Sequence, residues 1–466
     1  MHAEPVDLAV IGAGPAGLAA ATRAAATGLS VVLLDEQDAV GGQIYRAIER
    51  SGARRRAVLG PDYAAGADLA AAFARSGARH VPNASVWQVT RERSVHYLQD
   101  GKVGSFAARR VVLATGALER PFPIPGWTLP GVMTAGAAQI LLKGAGEVPA
   151  EPPVLVGCGP LLYLLAWQYV QAGVKVRAVV DTTRSEDRWR AKRHLIDALR
   201  AWPMLSKGLR MIRTLRAAGV PIHEAADDLR IEGVPGEDGT PRAQTLRFSV
   251  RGVPQSINAN LFLLHQGVVP NTQFSWAVRA SHRWDDAQLC FVPATDEWGE
   301  LDVEGLFVAG DGAGIGGAQV AALAGELSAL AVAAQLGTLD AAARDRAAAP
   351  LRRRLADALR IRPFLDSLYR AREENRVPRE DSVTVCRCEE VSAGEVRRIV
   401  ALGCLGPNQA KSFSRCGMGP CQGRLCGLTV TETIAQARGV SPAEVGYYRV
   451  RPPIKPLTLG ELASGE

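Results

Sequence analysis

Short apolar runs that end on glycine or aspartate, each leading into a helical stretch, set the pattern of this chain. Val6 to Ile11 is the first, an apolar strand that runs into Gly12-Ala13-Gly14-Pro15-Ala16-Gly17 and then an alanine-rich helix to about Thr27. Val31 to Leu34 is a second strand, closed by Asp35. The pattern returns at Val154-Leu155-Val156, with a following strand from Val174 to Val180 that ends at Asp181. Two further strands are expected at Val111 to Gly116, ending in A-T-G, and at Gly305 to Asp311, ending in G-D. Strands alternating with helices predict parallel sheets, so the fold class is α/β with two Rossmann-like dinucleotide-binding units. The arginine-rich stretch from Arg344 to Arg379 reads as solvated helices, and no unbroken apolar run reaches membrane-spanning length.

The first run carries a physical mechanism. In strand, G-x-G-x-x-G, helix, the first glycine permits the tight turn and the second lets backbone amides reach a pyrophosphate. The third lets the helix pack closely on the strand. Asp35 stands 18 positions past Gly17, where a ribose-binding carboxylate is expected, with Glu36 as the nearby alternative. In the second copy, Gly157-Cys158-Gly159-Pro160-Leu161-Leu162, a leucine replaces the third glycine. Its fold is kept and its nucleotide is placed in doubt; Arg184 and Arg188 read as surface charges.

Cysteine use changes the picture at the other end. Six of the eight cysteines fall within 41 residues, and five of them form two groups: Cys386 and Cys388 in C-R-C, then Cys416, Cys421 and Cys426 in C-G-M-G-P-C-Q-G-R-L-C. Thiolates this dense, among glycines that fold backbone tightly, point to metal ligation and are read as a [2Fe-2S] centre. Zinc is the competing reading, although zinc ribbons open with C-x2-4-C rather than C-x-C. A disulfide framework belongs to small secreted chains, and Met1 is not followed by an apolar signal core, so a cytoplasmic protein that is not an integral membrane protein is expected. The formal charge of +7 lacks an aromatic-interleaved basic stripe, so nucleic acid is not an expected partner. No cysteine precedes Cys158, and Cys158 and Cys290 stand singly, which excludes a redox-active pair near a flavin. No general acid, base or nucleophile emerges, so the catalytic residues are unassigned.

The A-T-G and G-D segments resemble those of the two-dinucleotide-domain flavoproteins that include thioredoxin reductase-like enzymes, in which the G-D aspartate contacts the ribityl chain of FAD. The whole chain resembles the α (A) subunits of heteromeric flavin-dependent amino-acid dehydrogenases: opine oxidases, D-hydroxyproline and proline dehydrogenases, and the B subunit of hydrogen cyanide synthase. The resemblance is carried by L-D-E-Q-D-A-V-G-G-Q-I-Y-R (Leu34 to Arg46), Pro125 to Gln139, the two cysteine segments and the tail R-P-P-I-K-P-L-T-L-G-E-L-A. The cysteine portion is similar to the bacterioferritin-associated ferredoxin domain. What the resemblance implies is FAD held by Gly12, Gly14, Pro15, Ala16, Gly17, Asp35, Glu36, Gly42, Gln43, Val86, Ala114, Thr115, Gly116, Gly310 and Asp311. It further implies FMN at a subunit interface, a β subunit resembling glycine oxidase, and a quinone or cytochrome acceptor.

The ferredoxin-like domain sets its C-x-C about thirty residues before the second pair. Because 32 residues separate Cys388 from Cys421 and only 27 separate it from Cys416, the resemblance selects Cys386, Cys388, Cys421 and Cys426 as ligands. Cys416 stays an alternative for the fourth. The expected organisation is 1–145, first part of the FAD domain; 146–268, inserted NAD(P)-like domain; 269–340, second part of the FAD domain; 341–380, helical connector; and 381–466, [2Fe-2S] domain. The function implied is electron transfer from a substrate-oxidising partner acting on an opine of the octopine or nopaline type, or on hydroxyproline. The alternatives are a self-contained NAD(P)H-dependent reductase, a non-redox protein holding NAD or ATP, and part of a glycine-oxidising cyanide synthase.

Overall fold

The computed structural model describes residues 6–464; Met1 with the four residues after it, and the last two residues of the expected 381–466 unit, lie outside the described residues. Val6–Ile11 is apolar on both faces because it lies inside a parallel sheet, where Leu8 faces Val31 on one side and Ala9 faces Val111 on the other. The sheet runs in the order Arg79–Val81, Val31–Leu34, Val6–Ile11, Lys102–Leu113, Ser94–Gln99, Ser85–Val89. Lys102–Leu113 serves two neighbours: its first half pairs antiparallel with Ser94–Gln99, and its apolar end pairs parallel with Val6–Ile11. Leu306–Val308 joins parallel to Val111–Leu113, so a late segment completes the first sheet.

Helix Pro15–Ala25 covers this sheet, and helix Ala318–Gln335 packs on it. A β-carbon at Gly325 would overlap the Ala16 carbonyl, so glycine is what lets the two helices touch. Leu323, Leu327 and Leu330 are fully buried, each contributing roughly 1.5–3 kcal/mol of apolar burial. By length and composition Ala318–Gln335 could cross a membrane, which the sequence reading missed; here it is a core helix, more than half of it buried in the protein.

A second, all-parallel sheet has the order Ile222–Glu224, Ala178–Asp181, Val154–Cys158, Phe262–Gln266, Val132–Thr134. Val132 pairs with Phe262, so this unit begins before the expected boundary at 145/146. The three-residue edge strand is too short to show a period, and only its pairing assigns it. The boundary at 268/269 also falls inside a strand: Val268–Pro270 pairs antiparallel with Ala117–Glu119 in the ladder between the sheets. An antiparallel meander, Ala226–Pro235, Pro241–Val250 and Val253–Asn258, shares an apolar cluster with the second sheet.

The connector departs from the expectation of solvated helices. Arg344 and Arg352 lie over the Trp298 ring at 4.5 and 4.3 Å, while Arg372 and Arg376 are buried in ion pairs with Glu374 and Glu432. Beyond it, the hairpin Thr384–Cys386 with Val391–Ser392 and the helices Ala393–Ala401, Pro407–Ser414 and Gly427–Arg438 enclose a core of Val385, Val396, Ile399, Val430 and Ile434. The chain then returns to the first unit. Val450 and Ile454 are buried in the cluster that holds Ala9 and Val32, the Ile454 N–H donates to the Trp87 carbonyl at 2.9 Å, and Lys455 pairs with Glu36 at 2.5 Å.

Candidate functional site

The first fingerprint folds into a cradle at the carboxyl end of the first sheet. Gly12 takes φ +106°, and a β-carbon there would lie 2.5 Å from the Ala114 carbonyl oxygen, so only glycine lets the first turn nest against the A-T-G strand. Gly17 is equally constrained, because its β-carbon would overlap the Gly12 carbonyl. Gly14 differs: its nearest neighbour would be the Gly42 Cα at 3.9 Å, so the space beside it is open. Pro15 opens the helix, Ala16 is buried beneath it, and the first-turn amides have no intrahelical acceptor.

Asp35 stands at the edge of the cradle. One carboxylate oxygen accepts from Ala13 N at 2.6 Å and the other from Gln37 N at 2.8 Å; burial, the largest effect, raises its pKa. Glu36 instead faces Lys455. Thr115 Oγ1 donates to the Asn271 carbonyl at 3.0 Å, and the Gly116 carbonyl accepts from Asn271 N at 2.9 Å. Asp311 Oδ1 accepts from Gly316 N and Gly317 N, both at 2.9 Å, and Gly310, at φ +77°, sits against Ala16. Gly42 approaches Gly14, and the Gln43 carbonyl accepts from the buried Lys143 ammonium at 3.2 Å. The structure therefore brings together Gly12, Gly14, Gly17, Asp35, Gly42, Ala114 and Gly310, and links Thr115, Gly116 and Asp311 to their flanking loops. The Val86 side chain is buried in the core of the first unit. Sequence reasoning missed Asn271, whose Oδ1 is buried without a partner beside Thr115. It follows Val-Pro far along the chain, and no motif spacing points to it. Open space at Gly14 and this orphaned oxygen fit a dinucleotide.

The second fingerprint is closed. Leu162 is fully buried, and Asp181 accepts from Tyr163 Oη at 2.5 Å and from Thr183 N at 2.8 Å. Burial raises the Asp181 pKa and pushes the Cys158 thiol up to about 12. The connector lies over this edge: the Tyr369 carbonyl stands 3.6 Å from Cys158 Sγ, and Arg372 reaches the Ala226 carbonyl, Asp227 and Glu374. Arg188 is the exposed charge expected of it, paired with Glu224, whereas Arg184 is partly buried between Asp227 and Glu374. Side chains of this protein thus occupy the groups that a second nucleotide would need.

The cysteines converge. Hairpin Thr384–Cys386/Val391–Ser392 presents Cys386 and Cys388, and Cys426 caps helix Gly427–Arg438. A β-carbon at Gly419 would overlap Cys388, while β-carbons at Gly417 and Gly423, both with positive φ, would strike the Tyr448 ring. The Sγ atoms of Cys386, Cys416 and Cys426 all lie within 4.8 Å of one another and are buried. Neighbouring Cys426, and more weakly Cys388, hold the Cys421 thiol below its ordinary pKa. Donation by Cys416, and then by Cys426, lowers the Cys386 pKa, whereas sharing with Cys386 raises Cys416 and Cys426. Five neighbouring thiols cannot all ionise without a cation, which is the chemistry of a metal cage. None of the eight cysteines is in a disulfide.

Cys416 is the correction here. Chain spacing sets it outside, yet the structure places it fully buried against Cys386 and Cys426, with the Tyr448 hydroxyl donating to it at 3.5 Å. Left-handed backbone at Arg415 and at Gly417 folds it inward, a turn that a count of intervening residues does not register.

Residues 6–326 match the family described as pyridine nucleotide-disulphide oxidoreductase, and residues 382–466 match the sarcosine oxidase A3 domain. The A subunit of opine oxidase from Rhizobium meliloti is 46% identical over 98% of this chain and 87% of its own. Hydrogen cyanide synthase subunit HcnB of Pseudomonas protegens is 30% identical over 96% of this chain and 95% of its own. Among solved structures, L-proline dehydrogenase from P. horikoshii shares the fold, with a TM-score of 0.73 at 19% identity over 99% of this chain and 80% of its own.

Proposed function

The chain belongs to the pyridine nucleotide-disulphide oxidoreductase family, in the branch of the opine oxidase A subunits, and from that premise we propose that it is the electron-transferring subunit of a heteromeric amino-acid or opine dehydrogenase. It is an FAD-dependent oxidoreductase subunit. The observation that carries the electron-transfer reading is the joining of an open dinucleotide cradle and a five-thiol cage on one chain. FAD would accept two electrons as hydride, and a [2Fe-2S] cluster would carry them singly.

Each part of the chain has its task in this reading. The helix amino terminus at Pro15 and the open face of Gly14 would hold the pyrophosphate, Asp35 would take the ribose, and Asp311, fixed by Gly316 and Gly317, would take the ribityl chain. Cys386, Cys388, Cys421 and Cys426 would ligate iron. Cys416, within 4.8 Å of both Cys386 and Cys426 and hydrogen-bonded by Tyr448, is the alternative for the fourth ligand. Substrate oxidation falls to a glycine-oxidase-like β subunit in the cytoplasm, with FMN at the interface and a quinone or cytochrome as acceptor. The closed second fingerprint counts against a self-contained NAD(P)H reductase, and the absence of a cysteine pair before Cys158 against disulphide chemistry.

The test is the spectrum of the anaerobically purified protein, with iron, zinc and flavin analysis. Bound FAD, two irons per chain and a rhombic paramagnetic signal on reduction are expected. Stoichiometric zinc without iron, or no flavin at all, refutes the reading.

A further inference from the structure

Three consecutive helical segments of the second unit, Ser185–Ala191, Leu195–Arg200 and Trp202–Ala217, leave large apolar side chains in solvent. Trp189 is 64% exposed, Ile196 70%, Leu199 50%, Trp202 55% and Met204 53%. The inward sides of these segments are already filled without them. Ala191 and Ala198 are buried, Leu215 belongs to the cluster that holds Leu165 and Tyr169 of helix Pro160–Gln171, and Met211 is buried one turn before it. Within Leu195–Arg200, Leu195, Ile196 and Leu199 stand at the three- and four-residue spacing of a single helix face, and all three are exposed.

Cations are interleaved with this apolar surface. Residues 185–216 carry nine Lys and Arg against three Asp and Glu. Five of the nine are paired: Arg188 and Arg216 with Glu224, Arg190 with Asp187, Arg200 with Asp197 and Lys207 with Asp62. Lys192, Arg193, Arg210 and Arg213 are exposed and form no ion pair among the described residues. Exposed apolar area rimmed by charge marks an interaction surface. A second copy of the chain is a poor occupant, because a two-fold contact would set this positive excess against itself. An anionic leaflet meets both features at once: tryptophan rings settle at headgroup depth, and long basic side chains lay their stems on apolar surface while their charged ends reach the phosphates.

We propose that this face docks the protein peripherally on an anionic lipid bilayer, with Trp189, Ile196, Leu199 and Trp202 at the headgroup boundary and the unpaired Lys192, Arg193, Arg210 and Arg213 against lipid phosphates. None of the residues assigned to FAD or iron lies on this face, and the proposal holds whichever acceptor takes the electrons. Flotation of the full chain, as purified with its flavin, tests it on vesicles of phosphatidylcholine alone and of phosphatidylcholine with about one third phosphatidylglycerol. The protein should float with the anionic vesicles at low salt and not with the neutral ones, and raised salt should weaken the association. Trp189→Ala/Ile196→Ala should lower partitioning at least ten-fold while flavin content and unfolding temperature stay as in the parent, because both side chains lie mostly in solvent. Lys192→Gln/Arg193→Gln should lower it several-fold, and covers the case in which the apolar pair misfolds. Failure to float with anionic vesicles, equal flotation with neutral ones, or flotation indifferent to both pairs of substitutions overturns the proposal. So does a chain that ignores vesicles yet dimerises, or binds a β subunit, in a manner lost in Trp189→Ala/Ile196→Ala, which would make the face a protein interface.

Discussion

Substituting Gly14 and Gly17 separately distinguishes a nucleotide cradle from a merely tight turn. At Gly17 a methyl group would overlap the Gly12 carbonyl oxygen and lie 3.3 Å from Val10 Cγ1, so the helix must lift off the strand. Overpacking of this kind costs about 1–3 kcal/mol, and a rigid backbone carbonyl puts Gly17→Ala at the upper end. At Gly14 the methyl would meet only the Gly42 Cα at 3.9 Å, and φ is −75°, where any residue is comfortable. The flavin-free fold should therefore tolerate Gly14→Ala, or even gain about 0.4–1 kcal/mol from the stiffer unfolded chain. The same methyl stands where a pyrophosphate must approach the backbone amides. FAD affinity should fall at least ten-fold, about 1.4 kcal/mol. Flavin fluorescence titration and thermal unfolding of flavin-free protein measure the two effects independently. Wild-type FAD affinity in Gly14→Ala would refute the placement of the pyrophosphate, and a destabilised flavin-free Gly14→Ala would refute the claim of open space.

Alanine at Cys386, Cys388, Cys421 or Cys426 should abolish the paramagnetic signal of the reduced cluster, while Cys416→Ala should keep it; loss at Cys416 with survival at Cys388 would move the fourth ligand. The isolated chain should not oxidise octopine, nopaline or hydroxyproline in a dye-linked assay until a β subunit is added. NADH should not bleach the flavin, because Tyr163, Thr183 and the connector hold the groups around Asp181; rapid bleaching would show that the second unit opens. Burial holds the His282 imidazole, stacked on Trp276, at about 4, below its usual 6.5. The unfolded chain therefore takes up that proton first, and the stability this ring supports is complete above about pH 6.5 and lost as pH falls towards 4, by at most about 3 kcal/mol. His282→Phe should flatten that acid limb in pH-dependent unfolding.

The glycine-closed strands were legible because each step of the fingerprint has a local cause: Gly12 and Gly17 face backbone within reach of their own turn. The α/β class and the parallel strands of both sheets follow from such local signals. What the sequence hid depends on distant pairing. Val132–Thr134 becomes a strand only beside Phe262–Leu264, and Asn271 joins Thr115 from 156 positions away. The connector misled for a related reason, since charge along a helix reads as solvation until Arg372 and Arg376 meet carboxylates from other segments. Cys416 shows the limit of counting residues, because one left-handed turn cancels the distance that a count implies.

The returning tail has a consequence for biosynthesis. Val450 and Ile454 belong to the same apolar cluster as Ala9 and Val32, and the Ile454 N–H closes a backbone bond to Trp87. Domains tend to fold in order of their emergence from the ribosome, but here an early segment of this chain waits for one more than 400 positions later before its core is sealed. The first unit leaves translation with apolar surface still uncovered, and the thiol-bearing unit must close before the tail beyond it can reach that surface. Completion of the first unit is thereby tied to a late event, so that a chain cut short before the tail is left with an open core that quality-control proteases can recognise.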